Sequence, residues 1–397
     1  MKVLLMPSWY PNVKQKTGSF FKEQAAFLND NGFDIKVLMA EELHTRSYMY
    51  QLLIRFVTAK SNTLSTHFLD QDPEAFSFPI ILQKGWTEQK QIDVANSKYL
   101  KAFKELIKTG WVPDLIHVQG AFKAGFSAQY ISELYNIPYV VIEHSPFKLA
   151  AYSKFRQEKI KKVLLEAVKV AGVSKFQKKR MFEDGIARKI DVVWNFLDEN
   201  RFQINKTLDK SKFIITTITR PIKVKDVDTF FKAVSQFIDH VTDRSKIEVV
   251  IVGHAALNDE QANTKYYDTK AAELGISDVC KGIPFLSRKE VKVLLNKSNV
   301  FISTSLNEPY GVAIREAMLS GVPVISTRSG GPEDSINPQT GVLVEIGDSN
   351  SISKYLFEIY KGSLAFDSEY IRNYVISQSG RAAFLNSMTK FYSIEND

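Results

Sequence analysis

The segment NEPYGVAIREAMLSGVPVIST, from Asn307 to Thr327, holds a loop, a helix and a strand in one short stretch. Pro309 and Gly311 interrupt any helix here, and a new helix can begin near Gly311 and run through Ala313, Arg315 and Ala317 to Leu319. Glycine and proline follow the end of that helix, where helices commonly stop. The apolar run Val322–Ser326 predicts a strand. A loop, a helix and a buried strand in this order are typical of a parallel α/β sheet.

Two glutamates of this segment, Glu308 and Glu316, could form a catalytic pair or a binding pair. In one unbroken helix, residues eight apart lie about 12 Å apart along the axis and about 80° apart around it, so their carboxylates would not meet on one atom. The break places Glu308 in the loop and Glu316 in the second helical turn. The free N–H groups of Tyr310, Gly311 and Val312 form an anion site between them. This arrangement suits a ligand with hydroxyls at both ends and phosphate between.

The same alternation of strands and helices extends along the whole chain. Apolar runs predict strands at Val3–Pro7, Ile35–Met39, Leu115–Val118, Tyr139–Glu143, Phe213–Thr217, Val249–Val252 and Val300–Ser303. Helical patterns lie at Gly18–Asn31, Ser97–Lys108, Phe126–Tyr135, Asp228–Val241, Lys265–Leu274 and Arg288–Lys297, and Tyr370–Tyr392 reads as an amphipathic helix. We therefore predict an α/β protein with two doubly wound, Rossmann-like domains at 1–195 and 196–375, facing a central cleft. A C-terminal helix at 376–397 is expected to pack back toward the first domain.

Length and composition narrow the class of protein. The chain has 397 residues, more than one core usually supports, and it is 44% hydrophobic and 24% charged, as ordinary globular proteins are. The single cysteine, Cys280, excludes a disulfide framework, and six scattered histidines argue against a Cys/His zinc site. No run reaches 18 apolar residues, and Met1–Pro7 is too short for a signal peptide. We expect a cytoplasmic protein.

The charge of the chain is uneven. Its net charge is +8, yet residues 148–189 alone carry 13 Lys and Arg against 4 Asp and Glu. Such a basic band favours an anionic partner, or it is a solvated helix face. Together with the apolar segment Tyr48–Val57, it suggests peripheral contact with the inner face of a membrane.

The segment opened by Glu308 resembles the nucleotide-sugar signature of glycosyltransferase family 4, the glycosyl transferases group 1. That family carries E-P-F-G-x-x-x-x-E-A, and this chain has Glu308-Pro309-Tyr310-Gly311 followed by Glu316-Ala317. The resemblance extends over essentially the whole chain. It implies the GT-B fold and a retaining glycosyltransferase that needs neither a metal nor a cofactor.

The resemblance also assigns residues of the C-terminal half. Arg220 and Lys225 match the family's diphosphate-binding cations, whose charge suits phosphate. Glu308 would hold hydroxyls of the donor sugar and Glu316 those of the ribose. The usual glycine after the lysine is Asp226 here, a departure from the family. Further donor-binding positions implied by the resemblance are Asn195, Gly253, Ile283, Tyr310, Gly311 and Val312, with the Gly330-Gly331 loop and Glu333 beside them.

The N-terminal half resembles the acceptor-binding domain of the family. Gly18 and Ser19 stand where the family's first strand ends in a glycine loop near the sugar or the acceptor. His144 follows a strand and matches a histidine near the donor sugar, where it would position the sugar. His117 lies on a neighbouring strand, and Gln119 replaces a second histidine found in many relatives.

The resemblance implies transfer of a hexose or N-acetylhexosamine from a nucleotide diphosphate sugar, UDP favoured over GDP. The acceptor would be a glycan or a polyprenyl-diphosphate-linked sugar, in surface polysaccharide or glycoconjugate synthesis. Asp-x-Asp pairs at Asp70/Asp72 and Asp226/Asp228 could hold a metal in another glycosyltransferase fold, but neither follows a buried strand, and we expect no metal site.

Three other functions stay open from the sequence. A glycoside hydrolase could use Glu308 and Glu316 as acid and base, but Arg220 and Lys225 would then be unexplained. A non-hydrolysing nucleotide-sugar epimerase has a similar two-domain architecture and would act without an acceptor. Nucleic-acid binding by residues 148–189 is disfavoured because the band has no interleaved aromatic platform.

Overall fold

The computed structural model describes residues 1–11, 18–45, 65–66, 73–205, 211–253 and 260–394. The chain divides into two compact units. Unit 1 comprises Met1–Val173, Gln177–Val193 and Leu385–Asp397, and unit 2 comprises Ser174–Phe176 and Trp194–Phe384. The apolar segment Tyr48–Val57 and the pair Asp70/Asp72 lie outside the described residues.

Unit 1 is built on an almost entirely parallel sheet. Its strands are β1 Lys2–Pro7, β2 Asp34–Thr45, β3 Ser65–Thr66, β4 Glu74–Gln83, β5 Leu115–Gln119, β6 Tyr139–Glu143, β7 Lys169–Gly172 and β8 Asp191–Val192. They are ordered β3-β4-β2-β1-β5-β6-β7-β8, and among the described strands β3 alone pairs antiparallel. The strand order reverses between β1 and β5, which makes this the point where doubly wound sheets bind ligands.

Helices cover the sheet of unit 1. They are α1 Ser19–Asp30, α2 Glu88–Ile107, α3 Ala124–Tyr135, α4 Lys154–Glu166 and α5 Lys175–Glu183. Every residue of β5 and β6 is buried, as expected for central parallel strands with apolar runs covered on both faces. Leu4, Ile116 and Val141 pack with Phe103 of α2 and Ile131 of α3 in one apolar cluster.

Unit 2 repeats this architecture with a second parallel sheet. Its strands are β9 Phe213–Ile218, β10 Ile247–Val252, β11 Cys280–Ile283, β12 Val300–Ser303, β13 Val324–Thr327 and β14 Gly341–Val344, in the order β11-β10-β9-β12-β13-β14. Its helices are α6 Val227–Ile238, α7 Glu260–Glu273, α8 Arg288–Lys297, α9 Val312–Leu319, α10 Ser349–Lys361 and α11 Ser368–Ser379, and α12 Arg381–Tyr392 ends the chain. The order reverses between β9 and β12. The predicted class, two doubly wound α/β domains, is confirmed.

Helix α6 illustrates why the elements of unit 2 form where they do. Phe230, Phe231, Val234 and Phe237 recur at helical spacing and are all buried against one face of the sheet. Helices α8, α9 and α11 supply a second apolar cluster with Phe301 and other side chains. A third, smaller cluster holds Ile214, Val250 and Val252, so the described strands of unit 2 contribute to three apolar clusters.

Three predicted helices differ clearly from those observed, and one of them is α7, which begins at Glu260 rather than Lys265. Helix α2 begins at Glu88 rather than Ser97, because the hydroxyl of Thr87 accepts the Lys90 N–H at 3.3 Å and caps an earlier start. The single predicted C-terminal helix is two helices, α11 and α12. Gly380 separates them with an extended backbone, φ −67° and ψ 174°.

His117 lies in the core of unit 1 rather than at a ligand site. Its Nδ1 is 2.7 Å from the hydroxyl of Tyr392 at the end of α12, and the rings of Tyr392 and Phe391 pack against it. Burial lowers the pKa of His117 to about 3. The histidine is therefore neutral in the folded protein and helps to seat the C-terminal segment on unit 1.

This burial predicts acid sensitivity. An unfolded histidine has a pKa of about 6.5, so below that pH the unfolded chain takes up a proton that folded His117 does not. Stability should fall by about 1.4 kcal/mol per pH unit from this group between pH 6 and pH 4. Urea unfolding at several pH values should give His117→Gln a correspondingly shallower fall than the natural protein. Equal slopes for His117→Gln and the natural protein would contradict this assignment.

Candidate functional site

The loop between β12 and α9 carries Glu308 at the point where the strand order of unit 2 reverses. The N–H of Glu308 donates to the Ser329 carbonyl at 2.9 Å, and the Gly331 N–H donates to the Glu308 carbonyl at 2.7 Å. These bonds fix the backbone of Glu308 between β12 and the loop after β13. Its side chain is consequently held at the carboxyl ends of the strands, where doubly wound sheets bind ligands.

The carboxylate of Glu308 links two groups that attract phosphate. Its Oε2 is 2.5 Å from Lys225 Nζ, and its Oε1 accepts the Gly311 N–H at 3.0 Å. Gly311 has φ 83° and caps α9. Positive φ is a conformation that glycine adopts without strain. The structure therefore brings together three residues predicted from the sequence: a cation, a carboxylate and the N-terminus of a helix.

The backbone at Lys225 is held in place by Thr304, the residue that follows β12. The hydroxyl of Thr304 donates to the Lys225 and Asp226 carbonyls at 3.1 and 2.9 Å. Asp226 has φ 42° and ψ 54°, the left-handed conformation in which glycine is favoured and aspartate is tolerated. Its carboxylate accepts the Thr229 hydroxyl at 2.6 Å. The aspartate that replaces the family's glycine thus stands at the N-cap position of α6 and binds the Thr229 side chain rather than the helix backbone. Asp228, two residues on, binds Lys270 at 3.1 Å.

Arg220, the other predicted phosphate-binding cation, follows β9. Its carbonyl accepts the Ile222 N–H at 2.8 Å, which turns the chain toward Lys225. Within the described part of the chain, its guanidinium forms no ion pair. Arg220 and Lys225 both follow β9, so both belong to the strand-end region that also holds Glu308.

Glu316 is buried in α9 and binds an arginine that the sequence analysis did not single out. Its Oε1 accepts a hydrogen bond from Arg288 at the start of α8, and the exposed fractions of the two side chains are 9% and 29%. Burying a carboxylate without a partner is costly, and Arg288 compensates. The only sequence signal for Arg288 is its place directly after Ser287, which caps α8.

Tyr310 and Asn195 occupy the interior rather than an open surface. Tyr310 is buried, and its hydroxyl lies 2.8 Å from the Asn195 carbonyl and 2.9 Å from Ser379 Oγ. The amide oxygen of Asn195 is buried and has no hydrogen-bond partner among the described residues. The side chain of Tyr310 therefore supports the loop, while the helix start beside it, at Gly311 and Val312, is the part suited to an anion.

Glycines permit close packing around this loop and at the end of β10. A Cβ on Gly331 would lie 2.4 Å from the Pro309 carbonyl oxygen, and one on Gly330 would lie 2.4 Å from the Phe176 ring. A Cβ on Gly253 would lie 2.7 Å from the Pro284 carbonyl oxygen. The Gly253 N–H donates to the Ile283 carbonyl at 2.8 Å. Gly253 and Ile283, both predicted donor-binding residues, thus lie side by side at the ends of β10 and β11.

Unit 1 holds the remaining predicted residues. His144 follows β6 and packs edge-on against Phe21 of α1, with ring centroids 4.7 Å apart. Gly18 has φ 91° and precedes Ser19, the first residue of α1. The side chain of His144 is thereby placed against the helix that Gly18 and Ser19 begin, so these three predicted residues lie in one region.

Comparisons with known families cover most of the chain. Residues 198–375 match the family model described as glycosyl transferases group 1, and residues 77–201 match that of glycosyltransferase family 4. The two matches correspond to much of unit 2 and to part of unit 1. The signature around Glu308 lies inside the first of them.

Curated relatives match over part of their length. D-inositol 3-phosphate glycosyltransferase of Streptosporangium roseum is 29% identical over 157 residues, 39% of this chain and 36% of the relative. N-acetyl-alpha-D-glucosaminyl L-malate synthase of Bacillus anthracis is 29% identical over 196 residues, 47% of each protein. The chain therefore spans less than half the length of these curated relatives.

Solved structures match over nearly the whole chain. Sucrose-phosphate synthase of Thermosynechococcus elongatus has a TM-score of 0.75 at 18% identity, covering 99% of this chain and 98% of that one. HepE of Anabaena, solved with UDP and glucose, has a TM-score of 0.70 at 17% identity, covering 98% and 99%. At these identities the similarity establishes the fold. None of the helices in the described ranges is both long and apolar enough to span a bilayer.

Proposed function

We propose that this chain, which belongs to the glycosyl transferases group 1 and has the GT-B fold, is a retaining hexosyltransferase. It would move a hexose or N-acetylhexosamine from a nucleotide diphosphate sugar, with UDP preferred to GDP, to a glycan or lipid-linked acceptor. The HepE structures similar to this chain were solved with UDP and with UDP-glucose, which supports the choice of UDP. The relative from Bacillus anthracis is named for an N-acetylglucosaminyl group, which supports the choice of sugar.

The observation that carries this proposal is the joint contact of Glu308 with Lys225 and with the Gly311 N–H. A departing nucleoside diphosphate carries charge that must be neutralised, and fixed cations and helix N-termini do this best at a preorganised site. Lys225 and Gly311 already lie within hydrogen-bond distance of one carboxylate, so their positions are set before the ligand arrives. Arg220 would add a planar guanidinium that can bind phosphate through two parallel hydrogen bonds.

The ribose end of the donor would bind at Glu316. Arg288 occupies Oε1 of this carboxylate, and we assign Oε2 to a ribose hydroxyl. Glu308 would hold hydroxyls of the donor sugar, and the family resemblance assigns the positioning of that sugar to His144. The two glutamates thus have separate cationic partners, Arg288 and Lys225, which suits two hydroxyl-binding groups better than one acid and base couple.

The reaction would proceed on one face of the sugar. The acceptor hydroxyl forms the new bond to the anomeric carbon as the bond from that carbon to the diphosphate breaks, and a diphosphate oxygen takes the hydroxyl proton. The leaving electron pair stays on the diphosphate beside Lys225 and Arg220. Closure around the substrates would exclude water and favour transfer over hydrolysis.

A membrane-bound acceptor fits the surface of unit 1. Within residues 148–189, the side chains of Phe182 and Leu165 are exposed beside many lysines, and apolar and cationic groups together suit an anionic lipid surface. Some of these charges are internally paired, since Lys162 lies 3.4 Å from Glu133. We therefore propose that the lysines of this band that form no ion pair with a described residue contact the membrane where a polyprenyl-linked acceptor resides.

The proposed preference for a UDP-sugar is tested by measuring thermal shifts with UDP, GDP, ADP and their common sugars, followed by transfer assays with the nucleotide sugars that bind. We expect UDP and one UDP-sugar to raise the melting temperature of the natural protein. Glu316→Gln should weaken that binding about tenfold, since a hydrogen bond to a charged group contributes about 1.5–3 kcal/mol. The charge-matched surface variant Glu345→Gln should bind as the natural protein does.

Two controls separate the alternative functions. Conversion of the nucleotide sugar with no acceptor present would indicate an epimerase. Cleavage of a simple glycoside with no nucleotide sugar would indicate a hydrolase. Unchanged UDP binding by Glu316→Gln would contradict the ribose assignment.

A further inference from the structure

Unit 2 contains a groove of about 500 Å³ on the side of its sheet that faces α8. Side chains of β9, β10 and β11 form its floor, and α8 with the segment before it forms a wall. The volume lies within the range of about 300–1,000 Å³ that is usual for ligand pockets. The groove is therefore large enough to take several side chains of a partner. Its apolar lining residues are Ile214, Val250, Ile283, Leu286, Val293 and Leu294.

The alternation of side chains along β10 explains why the floor of the groove is apolar. Successive residues of a strand point to opposite faces of the sheet. Val249 and Ile251 pack with α6 in one apolar cluster, whereas Val250 and Val252 form a small cluster with Ile214 on the other face. Parallel sheets of doubly wound domains are normally covered by helices on both faces. The groove beside α8 therefore has the position and the lining of a place where one more helix could pack.

Helix α8 presents an apolar residue between two lysines along this groove. Lys289, Val293 and Lys297 all line it, and their spacing of four residues places them on one side of the helix. Val293 is 55% exposed, although it lies in the middle of this row. The two lysines lie about 12 Å apart along the helix axis, since each residue rises about 1.5 Å. A partner lying along α8 would thus cover Val293 and meet a lysine at either end.

The charges at the rim of the groove favour a negatively charged partner. Lys281, Lys289 and Lys297 line the groove, are exposed, and form no ion pair with any residue that the structure describes. Of the acidic lining residues, Glu290 is already engaged, because its Oε2 accepts a backbone N–H at the N-cap of α8 at 2.7 Å. Glu248, the other one, has no ion-pair partner within the described ranges. Unpaired lysines thus outnumber unpaired carboxylates at this rim, and complementary charge on a partner would be negative.

We propose that this groove is a docking site for an acidic amphipathic helix of a partner protein. Apolar side chains of that helix, at the i, i+3, i+4 and i+7 spacing of helix-in-groove recognition, would cover Val293 and the apolar floor. Carboxylates about two turns apart on its flank would meet Lys289 and Lys297. The concave shape disfavours a flat lipid bilayer, and the net charge of +8 disfavours a second copy of this chain. The inference goes beyond the proposed transfer reaction and does not depend on it.

Synthetic peptides of about 18 residues, long enough to form a helix in water, test the proposal with the full chain. The first carries leucines at i, i+3, i+4 and i+7 with glutamates on the flanks, and the second has lysines in place of the glutamates. The third has the acidic composition in strict apolar–polar alternation, which favours a strand. Fluorescence anisotropy should show about tenfold tighter binding of the acidic helical peptide than of the basic one, since three exposed ion pairs together contribute about that factor. The preference should shrink at about 1 M salt.

Variants locate the docking site on the groove. Val293→Asp should weaken binding of the acidic helical peptide about tenfold, because it places an unpaired charge in the apolar contact. The double variant Lys281→Glu, Lys297→Glu should abolish the preference for the acidic over the basic peptide. Lys292→Glu is the matched control, since Lys292 belongs to α8 but does not line the groove, and it should bind as the natural protein does. Val293, Lys281 and Lys297 are exposed, so their variants should keep the melting temperature of the natural chain.

Other occupants of the groove would give different results. Equal binding of the acidic and basic helical peptides, tighter binding of the alternating peptide, or no binding of any peptide would overturn the inference. Sedimentation of the natural chain as a dimer that Val293→Asp dissociates would identify a second copy as the occupant and would equally overturn it. Phosphatidylglycerol vesicles should bind the natural chain and Val293→Asp to the same extent, and a loss in the variant would assign the groove to lipid instead. UDP binding tests the proposed function separately, because none of the residues changed in these variants is assigned to the donor site.

Discussion

Replacing Lys225 with methionine should lower kcat/KM for the nucleotide sugar about 10²–10³-fold, the range found when one preorganised charge-stabilising donor is removed. Methionine keeps most of the length of the side chain and removes only its charge. Lys225 Nζ lies 2.5 Å from Glu308 and is 26% exposed, so the ammonium is available to a diphosphate. Steady-state transfer assays with the donor identified by the nucleotide panel would measure the effect.

Lys232→Met is the matched control for this prediction. Lys232 is an exposed residue of α6, the helix that Lys225 precedes, and it forms no ion pair or side-chain hydrogen bond with Glu308. Its variant should keep kcat/KM within about twofold, because surface substitutions usually change little. Both proteins should retain the far-UV spectrum of the natural chain. If Lys225→Met turned over as Lys232→Met does, the phosphate role of Lys225 would be wrong.

The central strands could be predicted because burial on both faces demands continuous apolar runs. Val3–Pro7 and Tyr139–Glu143 are such runs, and the observed strands begin within one residue of them. Helix α6 could also be predicted from the sequence, since Phe230, Phe231 and Phe237 mark one apolar face. In these elements the local pattern and the tertiary environment agree.

Elements without this agreement were missed. Strand β4, Glu74–Gln83, contains Pro79 and alternates irregularly between buried and partly exposed positions. Helix α4, Lys154–Glu166, buries only Ile160, Val163 and Leu164, so its sequence reads mainly as a run of charge. Such elements are fixed by packing against neighbours that a short sequence window does not contain.

The candidate site was likewise predicted only in part from the sequence. The spacing of Glu308 and Glu316 predicts that both belong to one ligand-binding segment, because the break between them is visible as proline and glycine. Their partners, Lys225 and Arg288, lie 83 and 28 residues away along the chain. Lys225 was found only through the family resemblance, and Arg288 was not found. Pairings at such separations depend on the order of strands in the sheet.

Arg315, which the sequence analysis treated only as a position in a helix, should be the residue of this loop most sensitive to replacement. It is 0% exposed, donates to the Tyr310 and Gly331 carbonyls, and lies 3.8 Å above the centroid of the Tyr310 ring. Burial lowers its pKa, and the nearby charge of Glu308 opposes that shift. The guanidinium thus joins the loop before α9 to the loop after β13.

Arg315→Ala should lower the free energy of unfolding by about 3–5 kcal/mol, because two buried carbonyls lose their donors and a cavity is left. Arg315→Lys should fall between this variant and the natural protein, since one ammonium on a flexible stem cannot reproduce a planar fork. Urea unfolding followed by circular dichroism measures both. Arg328→Ala, which removes an exposed arginine paired at 3.2 Å with Glu345, should change stability by less than about 1 kcal/mol. Equal effects of Arg315→Ala and Arg328→Ala would mean that the buried guanidinium does not hold this loop, and the position of Glu308 would then need another cause.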